Sequence, residues 1–484
     1  MAALLMVTSA LVGCGQRAPV AAAAPLSPHE IAWFKGTMEQ AIGAAQQQNR
    51  PLLVYWGAVW CPYCQALKKT VFTRADFIEK SKLFIPVYLD GDLPGAQAWG
   101  QKLKVTAYPT MLILRPDQTE ISRLSGGMDL SLYALLIDDA IHDLRPIQAV
   151  LGSSHTRAEC HRLSYYNWEP DALPEMNAAK LASALSDAAA SCSGTDRVRL
   201  EVLALGFALH SKPVPADLTD RVNSLYARLG EPDSMRGATD LLSGLDDSLF
   251  AAVMEMKPDF ALQFRDRYVA RLMDAADRGD LAEADRLVAL ASALDATKSL
   301  SPDHAVPAAM QASARTRVEM ALVPDQYPNA RGDIVNAAGI VYDVLGDEEA
   351  AYLMYTRELP YTATPYYYMS HLGAIAEKRG QQKRALDWYA QAYAVSHGSA
   401  TRVRWGSSYV RALIRLSPDD AAGIRTAALG LAADIGTAEA AQGRALGAVD
   451  RVQKALEQWA TTPERRAVRD EVLAKLPSAV KSRS

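Results

Sequence analysis

The stretch Leu52-Leu53-Val54-Tyr55-Trp56-Gly57-Ala58-Val59-Trp60-Cys61-Pro62-Tyr63-Cys64 decides how the first part of the chain folds. Its first five residues form a short, unbroken apolar run, which suits a buried strand. A new helix then runs from about Pro62 to Phe72, because proline fits the first helical turn, where its missing N–H costs nothing. This places Cys61 at a helix N-terminus, with unpaired backbone N–H groups and the positive end of the dipole aimed at its sulfur. Such a position favours the thiolate, the form that attacks disulfides. Two intervening residues keep the two sulfurs within bonding reach. Cys64, one turn further in, is more shielded and is placed to attack a mixed disulfide from within. Cys61 is therefore read as a reachable nucleophile and Cys64 as its resolving thiol.

Working outward, Ser27-Pro28-His29-Glu30 matches a helix capping box, and Ile31, Phe34, Met38, Ile42 and Ala45 recur at helical spacing. A helix is expected from there to about Asn49-Arg50-Pro51. On the other side, Leu83–Leu89 reads as a second buried strand. After an intervening helix, Thr110–Leu114 and Ile121–Ser125 flank the turn signal Arg115-Pro116-Asp117-Gln118 and read as a β-hairpin. A last helix follows Asp129.

That order of elements, with Tyr108-Pro109-Thr110 before the hairpin, resembles the thioredoxin fold over residues 29–145. With Lys69-Thr70-Val71-Phe72 after the cysteines it is most similar to thioredoxin-like domains that carry a long first helix, such as the C-terminal domain of the DsbD reductant transporter. The resemblance implies thiol–disulfide exchange without a cofactor. It implies a cis peptide at Pro109 opposite the cysteine pair, keeping metal away, and a substrate groove shaped by Trp60, Pro62, Tyr63, Tyr108 and Thr110. One departure stands out. Many thioredoxins carry a buried carboxylate where this chain has Tyr55. Without it, Cys64 is expected to have a raised pKa, since burial disfavours a thiolate. The Pro-Tyr dipeptide is the one glutaredoxins use, which implies a potential more oxidising than the roughly −270 mV of thioredoxin. The competing reading of the pair is half a zinc site, for which Cys160 and His161 are the nearest further ligand types. No metal is expected.

The chain has five cysteines: Cys14, Cys61, Cys64, Cys160 and Cys192. Met1–Cys14 is apolar but shorter than the roughly 20 residues that span a bilayer, and it resembles a signal-peptide core. Leu11-Val12-Gly13-Cys14 resembles the lipobox of bacterial lipoproteins, although no Lys or Arg precedes the apolar run. The resemblance implies a leader over 1–14, a lipid on Cys14 as the only membrane contact, and a tether over 15–26. It implies a location on the periplasmic side of the envelope, with Gly15 pointing to the outer membrane. Cys160 and Cys192 are left as a structural disulfide or as two buried free thiols. A bridge requires Cα atoms within about 7 Å.

Residues 146–484 show no strand-like alternation, and alanine, the strongest helix former, is frequent after residue 170. Ala338-Gly339, Gly346, Ala351 and Tyr355 recur 34 residues later as Leu372-Gly373, Gly380, Ala385 and Tyr389, followed by Ala392. The period and residue types resemble tetratricopeptide repeats, clearest over 332–399. Gly279, Ala284, Val288 and Ala291 form a decayed copy upstream, and after Thr401 the pattern is only helical. The expected fold is thus an α/β thioredoxin-like domain over 27–145 followed by an all-α array of stacked helix pairs. The aromatic set Tyr352, Tyr355, Tyr366, Tyr367, Tyr368, Trp388, Tyr389, Tyr393 and Trp405 reads as packing between helices in preference to a peptide groove. His371 and His397 read as packing or surface residues. Arg402, Arg404, Arg411 and Arg415 read as a solvated face.

The 484 residues carry a formal net charge of −4, and no clustered basic surface marks a nucleic-acid partner. Two functions remain. One is an exported thiol–disulfide oxidoreductase that acts on thiols or disulfides of envelope proteins, exchanges electrons with a redox partner protein, and uses its helical region to bind clients. The other is a helical binding scaffold in which the cysteine pair is a redox latch without turnover. The intact pair with Trp60 and Tyr108-Pro109-Thr110 favours the first.

Overall fold

The structure, a computed structural model, describes residues 30–93, 95–127, 129–152, 155–168, 176–245, 247–324, 326–436 and 443–476. The leader, Cys14, the tether and Ser27–His29 lie outside the described residues.

The first region is built on a four-stranded sheet of β1 (Leu52–Gly57), β2 (Ile85–Asp90), β3 (Thr110–Leu114) and β4 (Glu120–Ser125), ordered β2-β1-β3-β4. β1 runs parallel to β2, and β3 runs antiparallel to both β1 and β4. Five helices accompany it: α1 (Met38–Gln48), α2 (Pro62–Thr70), α3 (Ala75–Ser81), α4 (Ala96–Lys102) and α5 (Leu132–His142). Every residue of β1 is buried. Leu53 and Tyr55 pack with Leu67, Phe72, Phe77 and Ile137 on one face of the sheet. Leu52, Val54 and Trp56 pack with Met38, Ile42 and Trp99 on the other. Burial on both faces is the reason the strand reads as an unbroken apolar run.

The first helix begins later than the sequence suggests. Residues 31–37 are not helical, and α1 starts at Met38 behind a second capping box, in which Thr37 and Gln40 bond each other's backbone N–H. The Phe34 N–H donates instead to the Pro86 carbonyl of β2 at 2.7 Å. A tertiary hydrogen bond thus ties the segment to the sheet, although its apolar residues have helical spacing. The short α3 was not foreseen.

The chain after α5 turns back onto the sheet. The helix Arg157–Tyr165 and the residues after it cover the free edge of β4. Arg162 donates to the Ile121 carbonyl at 3.0 Å, and the Asn167 N–H donates to the Arg123 carbonyl at 3.0 Å. An open strand edge is a template for unwanted pairing, and here it is closed from within the chain. Cys160 and Cys192 form a disulfide, with Cα atoms 5.7 Å apart.

Beyond this point the described residues are helical. Two consecutive helix pairs show why the repeat has its residue types. In the helices Arg331–Leu345 and Glu348–Glu358, a Cβ on Gly339 would lie 1.9 Å from the Tyr355 hydroxyl. In Pro365–Lys378 and Gln382–Ala394, a Cβ on Gly373 would lie 2.9 Å from the Tyr389 ring. Each glycine is the gap that a tyrosine of the next helix fills. Past Thr401 the order is inverted: Gly406 of the helix Ser399–Leu416 lies against the ring of Tyr393, which comes from the helix before it. Gly346 and Gly380 take positive φ (66° and 70°), the left-handed turn that ends the first helix of each pair. Among the described residues, no helix is long and apolar enough to cross a membrane.

The two regions touch. The helix Arg331–Leu345 packs on α2, and the helix Gly443–Trp459 packs on α4.

Candidate functional site

Cys61 is the N-cap of α2. Its backbone is extended, and its Sγ accepts the Cys64 N–H at 3.2 Å. Both thiols are free. The Cys61 N–H donates to the Ala58 carbonyl at 3.2 Å, and Gln65 ties the Val59 carbonyl at 2.7 Å, so the loop into the helix is held at both ends. The Tyr108–Pro109 peptide is cis. The Pro109 carbonyl accepts the Tyr133 hydroxyl at 3.1 Å and the Gly126 N–H at 3.0 Å. Thr110 opens β3, fully buried, with its hydroxyl on the Ala107 carbonyl at 2.9 Å. The Tyr108 ring stacks on Trp56 at 5.4 Å, and Trp60 meets Tyr108 edge-on at 5.6 Å. Trp60, Cys61, Tyr63, Cys64 and Tyr108, named from sequence, form one cluster with Ala58.

Behind Cys64, where a buried carboxylate was absent from the sequence, stands a group of hydroxyls and one cation. The Tyr55 ring is fully buried and stacks on Tyr88 at 5.1 Å. Lys68 donates to the Tyr88 hydroxyl at 2.8 Å, which in turn donates to the Asp90 carboxylate at 2.7 Å. The two sulfurs oppose each other's ionisation and behave as one site. Burial pushes the Cys61 thiol up. Burial also opposes a thiolate at Cys64, but the Cys61 thiol, the Ala58 backbone, the Tyr55 hydroxyl and the Lys68 ammonium together outweigh it, and the Cys64 pKa falls below its usual value. Hydrogen bonds and the Lys68 charge, groups the sequence did not reveal, thus oppose the rise that burial alone gives at Cys64.

A second expectation is also corrected. Cys61 is not reachable: it is 3 % exposed, and Cys64 is fully buried. The cover is the helical region. The Tyr63 hydroxyl accepts from Asn336 Nδ2 at 3.1 Å, and Asn336 Oδ1 accepts the Tyr367 hydroxyl at 2.6 Å. Pro62 lies close beside Gly332. The Trp60 indole is sandwiched, with Tyr367 at 6.1 Å, Trp405 at 6.0 Å and the Arg404 guanidinium at 4.5 Å. At the margins the Asp92 carboxylate caps the helix Ser399–Leu416, accepting from the Thr401 N–H at 2.7 Å and its hydroxyl at 2.5 Å. The Asp129 N–H donates to Asp285 of the helix Glu283–Ser299 at 3.1 Å.

Of the cover, Asp285, Asp333 and Asn336 were missed from the sequence, while Tyr367, Arg404 and Trp405 were named but not placed against Trp60. The only local signal is polarity out of place. Asp333 and Asn336 are buried in a helix whose neighbouring positions are apolar. Asp333 Oδ1 has no hydrogen-bond partner, and burial pushes its carboxyl well up. Of the arginines read as a solvated face, Arg415 pairs with Glu377 at 2.5 Å and Arg402 with Asp434 at 3.0 Å, while Arg404 leaves that face for Trp60. His371 is stacked on Tyr355 at 4.9 Å, and burial pushes it down to about 4, so it is neutral. Among the described residues, no group of His, Cys, Asp or Glu is arranged to hold a metal ion. Cys160, a further ligand in the zinc reading, is committed to its disulfide.

Residues 38–141 match the family model described as a thioredoxin-like domain. No curated protein matches the chain. Among solved structures, the chain is similar to a thioredoxin from Thermus thermophilus determined in solution, at 22 % identity over 23 % of this chain and 88 % of that one, with a TM-score of 0.21. It is also similar to a structure described as DsbH oxidoreductase, at 18 % identity over 28 % of this chain and 96 % of that one, with a TM-score of 0.21.

Proposed function

We propose that this chain, a thioredoxin-like domain followed by a largely helical region, is an exported thiol–disulfide oxidoreductase that works through Cys61 and Cys64. The observation that carries the reading is the Cys61 sulfur at the N-cap of α2, accepting the Cys64 N–H at 3.2 Å beside the cis Tyr108–Pro109 peptide. The Cys61 thiolate attacks one sulfur of a disulfide and forms a mixed disulfide, and the other sulfur leaves as a thiol. Cys64 then attacks the Cys61 sulfur and releases the second thiol. The reverse sequence oxidises a dithiol.

An envelope location is supported by the apolar leader and the lipobox-like Leu11–Cys14, and by the Cys160–Cys192 bridge, which belongs to an oxidising compartment. The clients in this reading are proteins on the periplasmic side of a bacterial envelope, with the enzyme held there by a lipid on Cys14. The helical region acts as a cover, and a protein client reaches Cys61 only when it lifts. The same burial favours a second reading, in which the cysteine pair latches the two regions together and oxidation releases them without turnover.

Reduction of insulin by dithiothreitol, followed by turbidity with the full chain, separates the two. Wild type is expected to shorten the lag well below that of dithiothreitol alone, and Cys61→Ser to restore it. Cys64→Ser should accumulate a mixed disulfide on Cys61. A wild-type rate equal to the dithiothreitol background overturns the enzyme and leaves the latch.

A further inference from the structure

Helix α2, which opens at Cys61, carries two lysines in its last turn, Lys68 and Lys69. Cations there complement the negative end of the helix dipole, and Lys69 does so from solvent. Lys68 is placed differently. It follows Cys64 by four residues, so both side chains lie on the face of α2 that also carries Leu67. That face packs on the sheet, and Lys68 is half-buried.

The Lys68 ammonium lies over two rings of that sheet, 4.3 Å from the centre of Tyr88 and 5.9 Å from that of Tyr55. It donates to the Tyr88 hydroxyl at 2.8 Å, and the Asp90 carboxylate stands one hydrogen bond further on, 2.7 Å from that hydroxyl. Among the described residues no carboxylate pairs with Lys68 directly. A cation withdrawn from water without an anion beside it is costly, and contacts with aromatic faces offset only part of that cost. The atom near it that takes on negative charge during the reaction is the Cys64 sulfur, whose thiolate the Lys68 charge favours. The other titratable groups that bear on this sulfur are Cys61 of α2 itself, Tyr55 of β1, Tyr88 of β2, Tyr133 of α5 and Asp333 of the cover. None of them is a cation. Asp90, in turn, favours the charged form of Lys68.

We infer that Lys68 is a positioning residue for the resolving step, its ammonium favouring the negative charge that Cys64 takes on as it attacks. The inference rests on the oxidoreductase reading and divides the labour within its site: Cys61 makes the mixed disulfide, and Lys68 governs how fast Cys64 undoes it. In that step the Cys64 thiol gives up its proton, its sulfur bonds to the Cys61 sulfur, and the bond from Cys61 to the client sulfur breaks. The client sulfur leaves with the electron pair of that bond and takes up a proton, so one proton is lost and one gained. Lys68 keeps its own proton throughout and supplies only charge.

The test compares the reduced full chain with Lys68→Met, which removes the charge at similar length, and Lys68→Arg, which keeps it. Ionisation of the pair is followed by the ultraviolet absorbance of the thiolate against pH, after subtracting the double variant Cys61→Ser with Cys64→Ser. The first midpoint is expected to rise by about one pH unit in Lys68→Met and to stay at the wild-type value in Lys68→Arg. Insulin reduction is then read below that midpoint. There Lys68→Met should turn over about tenfold more slowly, since one unit is about tenfold in thiolate, and should carry more mixed disulfide on Cys61. Above the Lys68→Met midpoint the difference should vanish. An unshifted midpoint in Lys68→Met, a Lys68→Arg midpoint equal to that of Lys68→Met, or a loss of turnover equal at every pH overturns the inference and leaves the enzyme in place. If wild type leaves insulin unreduced, the oxidoreductase reading itself fails, whatever the midpoints.

Discussion

The redox domain and the helical array solve the burial problem in different ways. In the redox domain, β1 is covered from both sides by elements far apart in sequence, with α1 and α4 on one face and α2, α3 and α5 on the other. In the array, Gly339 is met by Tyr355 and Gly373 by Tyr389, each from the next helix, so each pair depends mainly on its neighbours. The first arrangement fixes one sulfur at one helix tip. The second makes a long surface whose outer residues are free to take up another role. Within the redox domain one contact of the same kind stands next to the seam. The Tyr63 ring lies on Gly127, a position where a Cβ would come within 2.1 Å of it, and its hydroxyl reaches across to Asn336. The cover over Cys61 is thus made by polar and aromatic side chains of the array that reach Tyr63 and Trp60, and not by a further glycine–tyrosine pair.

The hardest way to break this comparison is Gly339→Val. If the array is a chain of close approaches, filling that gap beside the buried Tyr355 should cost about 3 kcal/mol. In urea the helical region should unfold early, while the sheet of the redox domain persists to a later transition. Far-UV circular dichroism read alongside Cys61 alkylation would show it. A single transition at the wild-type midpoint would mean that the array is not held by these pairs. A smaller effect sharpens the comparison at the seam. Asn336→Ala removes the group that joins the Tyr63 and Tyr367 hydroxyls and leaves both buried, at a cost of about 1–3 kcal/mol. The urea midpoint of the helical region should fall correspondingly. Iodoacetamide should label Cys61 about tenfold faster or more, because lifting the cover has become easier. Unchanged labelling would show that the cover is not held at this point.

What could be read from the sequence followed the same division. β1, the cysteine pair, the hairpin and the Gly–Tyr period were legible because each is set by residues close in the chain or by a fixed repeat. The start of α1 was not. Ser27–Glu30 and Thr37–Gln40 both satisfy the capping pattern, and the non-helical path of residues 31–36 goes with a bond from Phe34 to Pro86, on another element. Gly406 escaped notice because it falls one residue short of the period set by Gly339 and Gly373. The cover was invisible for a stronger reason: Asn336 and Tyr63 are 273 residues apart, and nothing local to either marks the other. Tyr367 and Trp405 were read as inter-helix packing. They do pack against each other, at 6.3 Å, but they also carry the Trp60 indole. Residue types gave the chemistry of Cys61, and only docking gave its accessibility.

The last effect expected is a dependence of closure on pH, and its sign follows from Asp285. Burial pushes this carboxyl from its ordinary 3.8 up to about 7. The Asp129 N–H pulls it back in part, and the charges of Asp129 and Asp240 push it further. In the closed molecule Asp285 therefore holds its proton to about pH 7, whereas once exposed it would release it near its ordinary value. Between about pH 4 and pH 7 the closed form binds a proton that the open form lacks, so closure is strongest at the acid end and weakens as pH rises through that window. Above it both forms are ionised at this group and its contribution is flat. Asp333, also pushed up by burial, acts in the same direction. Asp285→Asn keeps the shape and the acceptor for the Asp129 N–H but cannot titrate. The urea midpoint of the helical region should fall from pH 4 to pH 7 more steeply in wild type than in this variant. The difference between the two curves isolates Asp285 from every other titrating group. Parallel curves would mean that water already reaches this carboxyl, and that the cover over Cys61 is looser at its Asp129 edge than at its Tyr63 centre.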